Sequence, residues 1–195
     1  MVDSAIENEV RQQLSQLFER EREMFISVDV EASGPIPGEY SMLSLGACPV
    51  FNQSETFYIE FKPISEKYDP EAIKVAGLSL QTLKKEGVDP EAGMQQFKNW
   101  LENVCKDARP ILVAFNVSFD WMYVHYYFCR FLGRSPFGIS GLDIKAYYMG
   151  KFGKKKWSET AKRRIDPKFI AAKHTHNALD DAIEQAEMFK RMFES

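Results

Sequence analysis

Phe25-Ile26-Ser27-Val28-Asp29-Val30-Glu31 is the stretch on which the fold turns. β-Branched and aromatic residues dominate it, a composition that suits a strand packed on a pleated surface. Side chains two apart on a strand leave the same face, so the Asp29 and Glu31 carboxylates stand about 6 to 7 Å apart, a chelating separation. Val28 and Val30 point to the other face. If the strand is central in an α/β sheet, both acids overhang its C-terminal end, where ligands of such sheets collect. The competing reading is a pair of acids at a solvated strand end.

Downstream, Gly34, Pro35, Pro37 and Gly38 punctuate a turn before a second strand at 42–51 and a third at 56–61. Residues 69–104 shift to helical periodicity, with Asp89-Pro90 as a start signal and Met94, Phe97, Trp100, Leu101 and Val104 on one face. The all-apolar run at 111–115 (ILVAF) is typical of a buried central strand, and a helix over 117–132 follows it. A short strand at 138–142 and helices from Asp143 and from about Asn177 complete the set. Three early strands followed by alternating strands and helices predict an α/β fold, a mixed five-stranded sheet with helices on both faces. Upstream, Ile6, Val10, Leu14, Leu17 and Phe18 recur at spacings of three and four, so residues 4–23 predict an amphipathic helix. It either covers its own domain or mediates a homodimer.

A chain of 195 residues, 45% hydrophobic and 27% charged, supports one core, here an N-terminal extension over 1–23 and a single domain over 24–195. The formal charge of -3 excludes a protein that coats nucleic acid by bulk charge. No apolar run is long enough to span a membrane and the N-terminus lacks a secretory pattern, so a cytoplasmic location is expected. Cys48, Cys105 and Cys129 are far apart and fit reduced, packed thiols.

Three further positions carry chemistry. Asp120 falls five residues beyond the 111–115 run, in the first turn of the next helix, with Asn116 just ahead of it. An acid there stabilises the helix dipole by about 0.3 to 1 kcal/mol and Asn caps helices well, so a structural role stays open. In His174-Thr175-His176-Asn177-Ala178-Leu179-Asp180-Asp181, helical geometry separates the two aspartates. Ala178, Ala182, Ala186, Phe189 and Phe193 mark the buried stripe, and Asp181 falls beside it while Asp180 faces away. An acid aimed at a core is costly unless paired or bound to metal, so Asp181 is the informative residue and Asp180 a surface charge. His176 is placed to overhang the same spot; His125 and His174 read as structural polar groups. Four oxygen ligands with few nitrogens and no thiolates suit Mg2+ or Mn2+.

These residues resemble the DEDDh 3′-to-5′ exonuclease family of the ribonuclease H-like superfamily, which includes polymerase proofreading subunits and ribonuclease T. Its first motif, Asp-x-Glu before small residues and Gly, matches Asp29-Val30-Glu31-Ala32-Ser33-Gly34. Its second, Asn-x-x-x-Asp, matches Asn116-Val117-Ser118-Phe119-Asp120, and its third, His-x-Ala-x-x-Asp, matches His176 to Asp181. Gly77-Leu78-Ser79 is similar to the family's Gly-Ile-Thr helix start, and Leu142-Asp143 to its acid after the fifth strand. One departure is Ser44-Leu45-Gly46, where many members carry Glu before the Gly.

The resemblance implies a ribonuclease H-like sheet and two divalent cations held by Asp29, Glu31, Asp120 and Asp181, with Asp29 shared. Two cations about 3.5 to 4 Å apart stabilise both the attacking water and the departing 3′ oxygen of an in-line displacement. His176 is then the general base, suited by an unperturbed pKa of about 6.5. The implied partner is a single-stranded RNA or DNA 3′ end, released as nucleoside 5′-monophosphates. Backbone at Ala32, Ser33 and Gly34, with Asn116, forms the expected contact to the terminal nucleotide; Phe119 either stacks on its base or packs with the aromatic helix 119–131 into the core.

Apart from any family, residues 145–173 hold ten Lys or Arg against Glu159 and Asp166, a local charge of +8 that leaves -11 for the rest. With Trp157 and Phe169 among them, this segment is expected to border the substrate path, Lys154, Lys155 and Lys156 contacting phosphates. Two other readings compete: a non-catalytic nucleic-acid-binding or scaffold module, and a metal-dependent phosphatase acting on small nucleotides.

Overall fold

A computed structural model describes residues 22–170 and 175–195; the expected helix over 4–23 and His174 lie outside them, apart from the helix's last two residues. Strands β1 (Glu23–Ala32), β2 (Met42–Pro49) and β3 (Phe57–Glu60) form the opening meander. Helices α1 (Pro70–Ala76), α2 (Leu80–Glu86) and α3 (Pro90–Cys105) follow, then β4 (Arg109–Ala114), α4 (Val117–Leu132) and β5 (Leu142–Asp143). Helix α5 (Ile144–Lys151), three short 3₁₀ turns between Trp157 and Phe169, and α6 (Ala178–Glu194) complete the described chain.

The sheet runs β3-β2-β1-β4-β5, so β1 is central, the condition under which its two acids overhang a ligand crevice. It pairs antiparallel with β2, Asp29 opposite Gly46 and Glu31 opposite Ser44, and parallel with β4 from Glu23↔Arg109 to Ser27↔Val113. One face buries Val28, Val30, Phe61, Met94, Phe97, Tyr123, Tyr127 and Phe128 beneath α3 and α4. The other packs Val113, Ile144, Tyr148, Phe169, Met188, Phe189 and Met192 beneath α5 and α6. Each fully buried Phe, Leu or Met contributes roughly 1.5 to 3 kcal/mol, which anchors both helical layers.

Several boundaries differ from expectation for local reasons. The helical region at 69–104 is three helices, because Gly77 takes a left-handed φ of 66° to close α1 and Gly87 ends α2. The strand expected at 111–115 starts at Arg109 and stops at Ala114, leaving Phe115 beyond the ladder. The strand expected at 138–142 is only Leu142–Asp143: Gly138 has a φ of 70° and Ile139 is 88% exposed, so neither joins the sheet. Glu23 belongs to β1 rather than to a helix. Phe193, expected in the buried stripe of α6, is 44% exposed near the chain end.

Candidate active site

β1 carries Asp29 and Glu31 past its last pair with β4, so both carboxylates leave the sheet where strand pairing has opened. They are buried, although Glu31 reaches a surface pocket. Asp29 Oδ1 accepts a 2.5 Å bond from Gln185 Nε2, and Gln185 Oε1 accepts the Phe115 N–H at 2.6 Å. One amide side chain on α6 thus ties the first carboxylate to the end of β4. Composition gives no hint of Gln185, but its place one helical turn after Asp181 does, since residues i and i+4 share a face.

Asp120 is buried in the first turn of α4, and its Oδ1 accepts the Val30 N–H at 3.0 Å. Its carboxylate therefore stands between Asp29 and Glu31 along β1, which goes beyond a dipole role. Asn116 does not cap α4. It sits left-handed at φ 68°, makes no side-chain cap bond, and its Oδ1 accepts from Lys145 Nζ at 2.8 Å. Asp143 does the joining there, accepting from Val117 N–H at 2.9 Å and capping α5 through Ala146 N–H at 2.7 Å.

Asp181 is fully buried and Asp180 exposed, as helical projection predicts. Asp181 accepts backbone bonds from Thr175 N–H at 2.9 Å and His176 N–H at 2.8 Å, one on each oxygen. His176 is held at a left-handed φ of 60°, a conformation of restricted population for a residue with a Cβ, and Asn177 caps α6 behind it. Ligand atoms of Glu31, His176 and Asp181 lie within 4.8 Å of one another.

Among the described residues, no Lys or Arg pairs with Asp29, Glu31 or Asp120. The electrostatics follow. Burial first, then Asp120, Glu31 and Asp181, hold the Asp29 carboxyl well above the usual range despite the Gln185 bond. Burial also raises Asp120 against the opposing Val30 N–H bond. Burial and the Asp181 charge lift Glu31 to about 7. Buried carboxylates that repel one another and consist only of hard oxygen donors fit divalent cations, whose charge removes the repulsion.

Beside this cluster, a pocket of about 290 Å³ is lined by Glu31, Ala32, Gly34, Pro35, Asp69, Ala72, Val75 and Phe119. Ala32, Gly34 and Phe119 thus share one cavity. Ser33 does not: it is fully buried, its N–H bonds Ser41 O, its carbonyl accepts from Asp69 and its hydroxyl bonds Lys67 O. It shapes the turn that its neighbours present, and Tyr123 Oη fixes that turn by donating to Gly34 O at 2.7 Å. Asp69, which also caps α1, lines the pocket without a sequence signal beyond its Asp-Pro start. Lys154 lies over the Tyr148 ring and Lys155 and Lys156 are exposed on the loop after α5; no bond joins any of the three to the carboxylates.

The model of the RNase T family, described as Exonuclease, matches residues 26–189. The chain is 48% identical over 174 residues to the 3′-5′ DNA exonuclease Cap18 of Escherichia coli, covering 87% of this chain and 91% of that protein. Its fold is similar to the nuclease domain of 3′hExo, a DEDDh family member bound to rAMP, with TM-score 0.69, 16% identity and coverage of 89% and 92%. It is also similar to E. coli Exonuclease I in complex with a dT13 oligonucleotide, with TM-score 0.66, 16% identity and coverage of 89% and 43%. With a family model over residues 26–189 and a relative of nearly its own extent, this chain belongs to the RNase T exonuclease family and is a 3′-to-5′ exonuclease.

Proposed function

We propose that the enzyme removes nucleoside 5′-monophosphates from single-stranded DNA 3′ ends, using two divalent cations, Mg2+ or Mn2+, held by Asp29, Glu31, Asp120 and Asp181. The observation that carries the reading is the convergence of these carboxylates, buried on β1, α4 and α6. Bound there, the cations supply charge stabilisation for the attacking water and the departing 3′ oxygen. The chain's own groups do the rest. Gln185 orients Asp29, the Val30 N–H orients Asp120, and the Thr175 and His176 N–H groups orient Asp181. His176, exposed at the mouth, takes the proton of the attacking water.

The pocket of Ala32, Gly34 and Phe119 receives the terminal nucleotide, Phe119 offering a ring face to the base. DNA is favoured over RNA by the name of the relative at 48% identity. Exposed Lys155 and Lys156, with Lys154, add diffuse attraction for phosphates. A cytoplasmic setting belongs to the same reading: no described helix is long and apolar enough to cross a membrane, and the three cysteines are free. The homodimer raised by the sequence rests on the helix expected over 4–23, of which residues 4–21 lie outside the described residues.

A specific observation favours a second reading of one residue. His176 lies within ligand distance of Glu31 and Asp181, so it has the geometry of a metal ligand as well as of a base.

Matched 5′-labelled single-stranded DNA and RNA, with Mg2+ or Mn2+, test the proposal. A descending ladder, faster on DNA, is expected; it should vanish with chelator and in Asp29→Ala, and slow by about 10²- to 10⁴-fold in His176→Ala. Hydrolysis of small nucleotide esters alone, with intact polynucleotides, supports the phosphatase reading. Binding without cleavage supports the scaffold reading.

A further inference from the structure

Lys145 is immobilised without a counter-anion. Its Nζ donates to Asn116 Oδ1 at 2.8 Å and lies 4.5 Å from the Trp157 ring centroid and 5.6 Å from that of Phe115. No carboxylate pairs with it among the described residues. Ordering a lysine side chain costs up to about 2 kcal/mol of rotamer entropy, offset here by two ring faces and one amide oxygen. The full positive charge remains available to an anion.

Its neighbours extend the feature. Trp157, half exposed at 53%, leaves part of a large aromatic surface in water. Lys162 Nζ lies 6.0 Å from the Phe115 ring and pairs at 2.5 Å with Glu184, a carboxylate only 3% exposed. Glu184 precedes Gln185, so the residue that fixes Lys162 and the residue that fixes Asp29 are adjacent on α6. The Phe115 N–H bonds Gln185 and Asn116 follows it, so a short bonded path runs from Asp29 to Lys145.

Two features thus adjoin the carboxylates. Glu31 joins the pocket of Ala32, Gly34 and Phe119. Asp29 is linked through Gln185, Phe115 and Asn116 to Lys145 and Trp157. With the terminal nucleotide in the pocket, the second feature is the neighbouring place bonded to the carboxylates where the next nucleotide can be held. A fixed ammonium beside an exposed indole matches one nucleotide, a phosphate for the charge and a base for the ring.

We propose that Lys145 and Trp157, supported by Lys162, form the subsite for the nucleotide immediately upstream of the scissile bond, Lys145 bonding its phosphate and Trp157 stacking its base. The proposal rests on the reading of the carboxylate cluster as the catalytic centre. It assigns the phosphate track to the 3₁₀ turns and the start of α5 rather than to the Lys154–Lys156 loop. Asn116 then acts as a positioning residue for Lys145.

Fluorescence anisotropy of 5′-fluorescein oligo(dT), with chelator so that no cleavage occurs, tests it in the full-length protein. Lys145→Gln should weaken binding at least about 5-fold and reduce the slope of log K against log[salt] by about 0.7. Lys85→Gln, an exposed lysine on α2, should lower neither by as much. Trp157→Ala should weaken binding about 10-fold and Trp157→Phe should restore most of it. With Mg2+, the loss in kcat/KM of Lys145→Gln on oligo(dT) should exceed its loss on the p-nitrophenyl ester of thymidine 5′-monophosphate, which has no upstream nucleotide. Wild-type affinity and salt slope in Lys145→Gln, or equal losses on both substrates, overturns the subsite while the exonuclease reading stands. A wild-type enzyme that leaves oligo(dT) intact under every metal condition overturns the catalytic reading and the subsite with it.

Discussion

Glu31 shows what crowding buried acids together costs. Burial and Asp181 raise its carboxyl from an ordinary 4.5 to about 7, and Asp29 and Asp120 shift in the same direction. A carboxyl whose pKa is higher folded than unfolded favours the folded state fully below pH 4.5 and loses that contribution as pH rises through about 7. For Glu31 alone this is about 3 kcal/mol at 1.36 kcal/mol per pKa unit. Chelator-treated protein should therefore melt at a lower temperature near pH 8 than near pH 5, and added Mg2+ should raise the melting temperature more at the higher pH. A metal-free protein more stable near pH 8 contradicts the electrostatics of the cluster.

At the same scale, the choice between Asp180 and Asp181 was legible from helical projection alone, and the fold agrees. For Asn116 the structural alternative, a helix cap, does not hold, although its type suits one. Its left-handed backbone directs the side chain to Lys145 instead, a partner 29 residues away that no local pattern reveals. Gln185 and Ser33 were obscured for the same reason: their roles are made by tertiary bonds.

Among the elements, β1 was the most legible. Its composition marked a strand and its two carboxylates a candidate site, conditional on a central place that the sheet order supplies; ligands of α/β sheets collect at the C-terminal ends of such strands. Helix α6 matters as much, since it carries Asp181, Glu184 and Gln185 across β1 and β2. Its close approach depends on Gly46 of β2: a Cβ there would lie 2.2 Å from the Ala178 carbonyl oxygen. The backbone of the first turn of α6 cannot yield as a flexible side chain does. Gly46→Ala should therefore destabilise the protein by at least about 1 to 3 kcal/mol and lower activity by displacing Asp181, with thermal melting and initial rates as the readouts. An unchanged melting temperature shows that the helix tolerates the displacement. The elements hardest to read were the shortest, β5 and the three 3₁₀ turns, where two to four residues carry too little periodicity to register.

For the whole molecule, a formal charge of -3 conceals two opposed regions, buried acids at the strand ends and a basic segment at 145–173. The fold sets them side by side, through Gln185, Phe115 and Asn116. In the proposed function, cations at the first and phosphates at the second would make an overall acidic protein competent for a nucleic-acid end without broad affinity for the polymer. The proposed function divides labour, carboxylates holding metal and His176 moving a proton. Mn2+ titration followed by electron paramagnetic resonance tests that division directly. Two ions per chain are expected in wild type and in His176→Ala, with at least one lost in Asp29→Ala. Fewer than two ions in wild type, or loss of an ion in His176→Ala, contradicts it and makes the histidine a ligand.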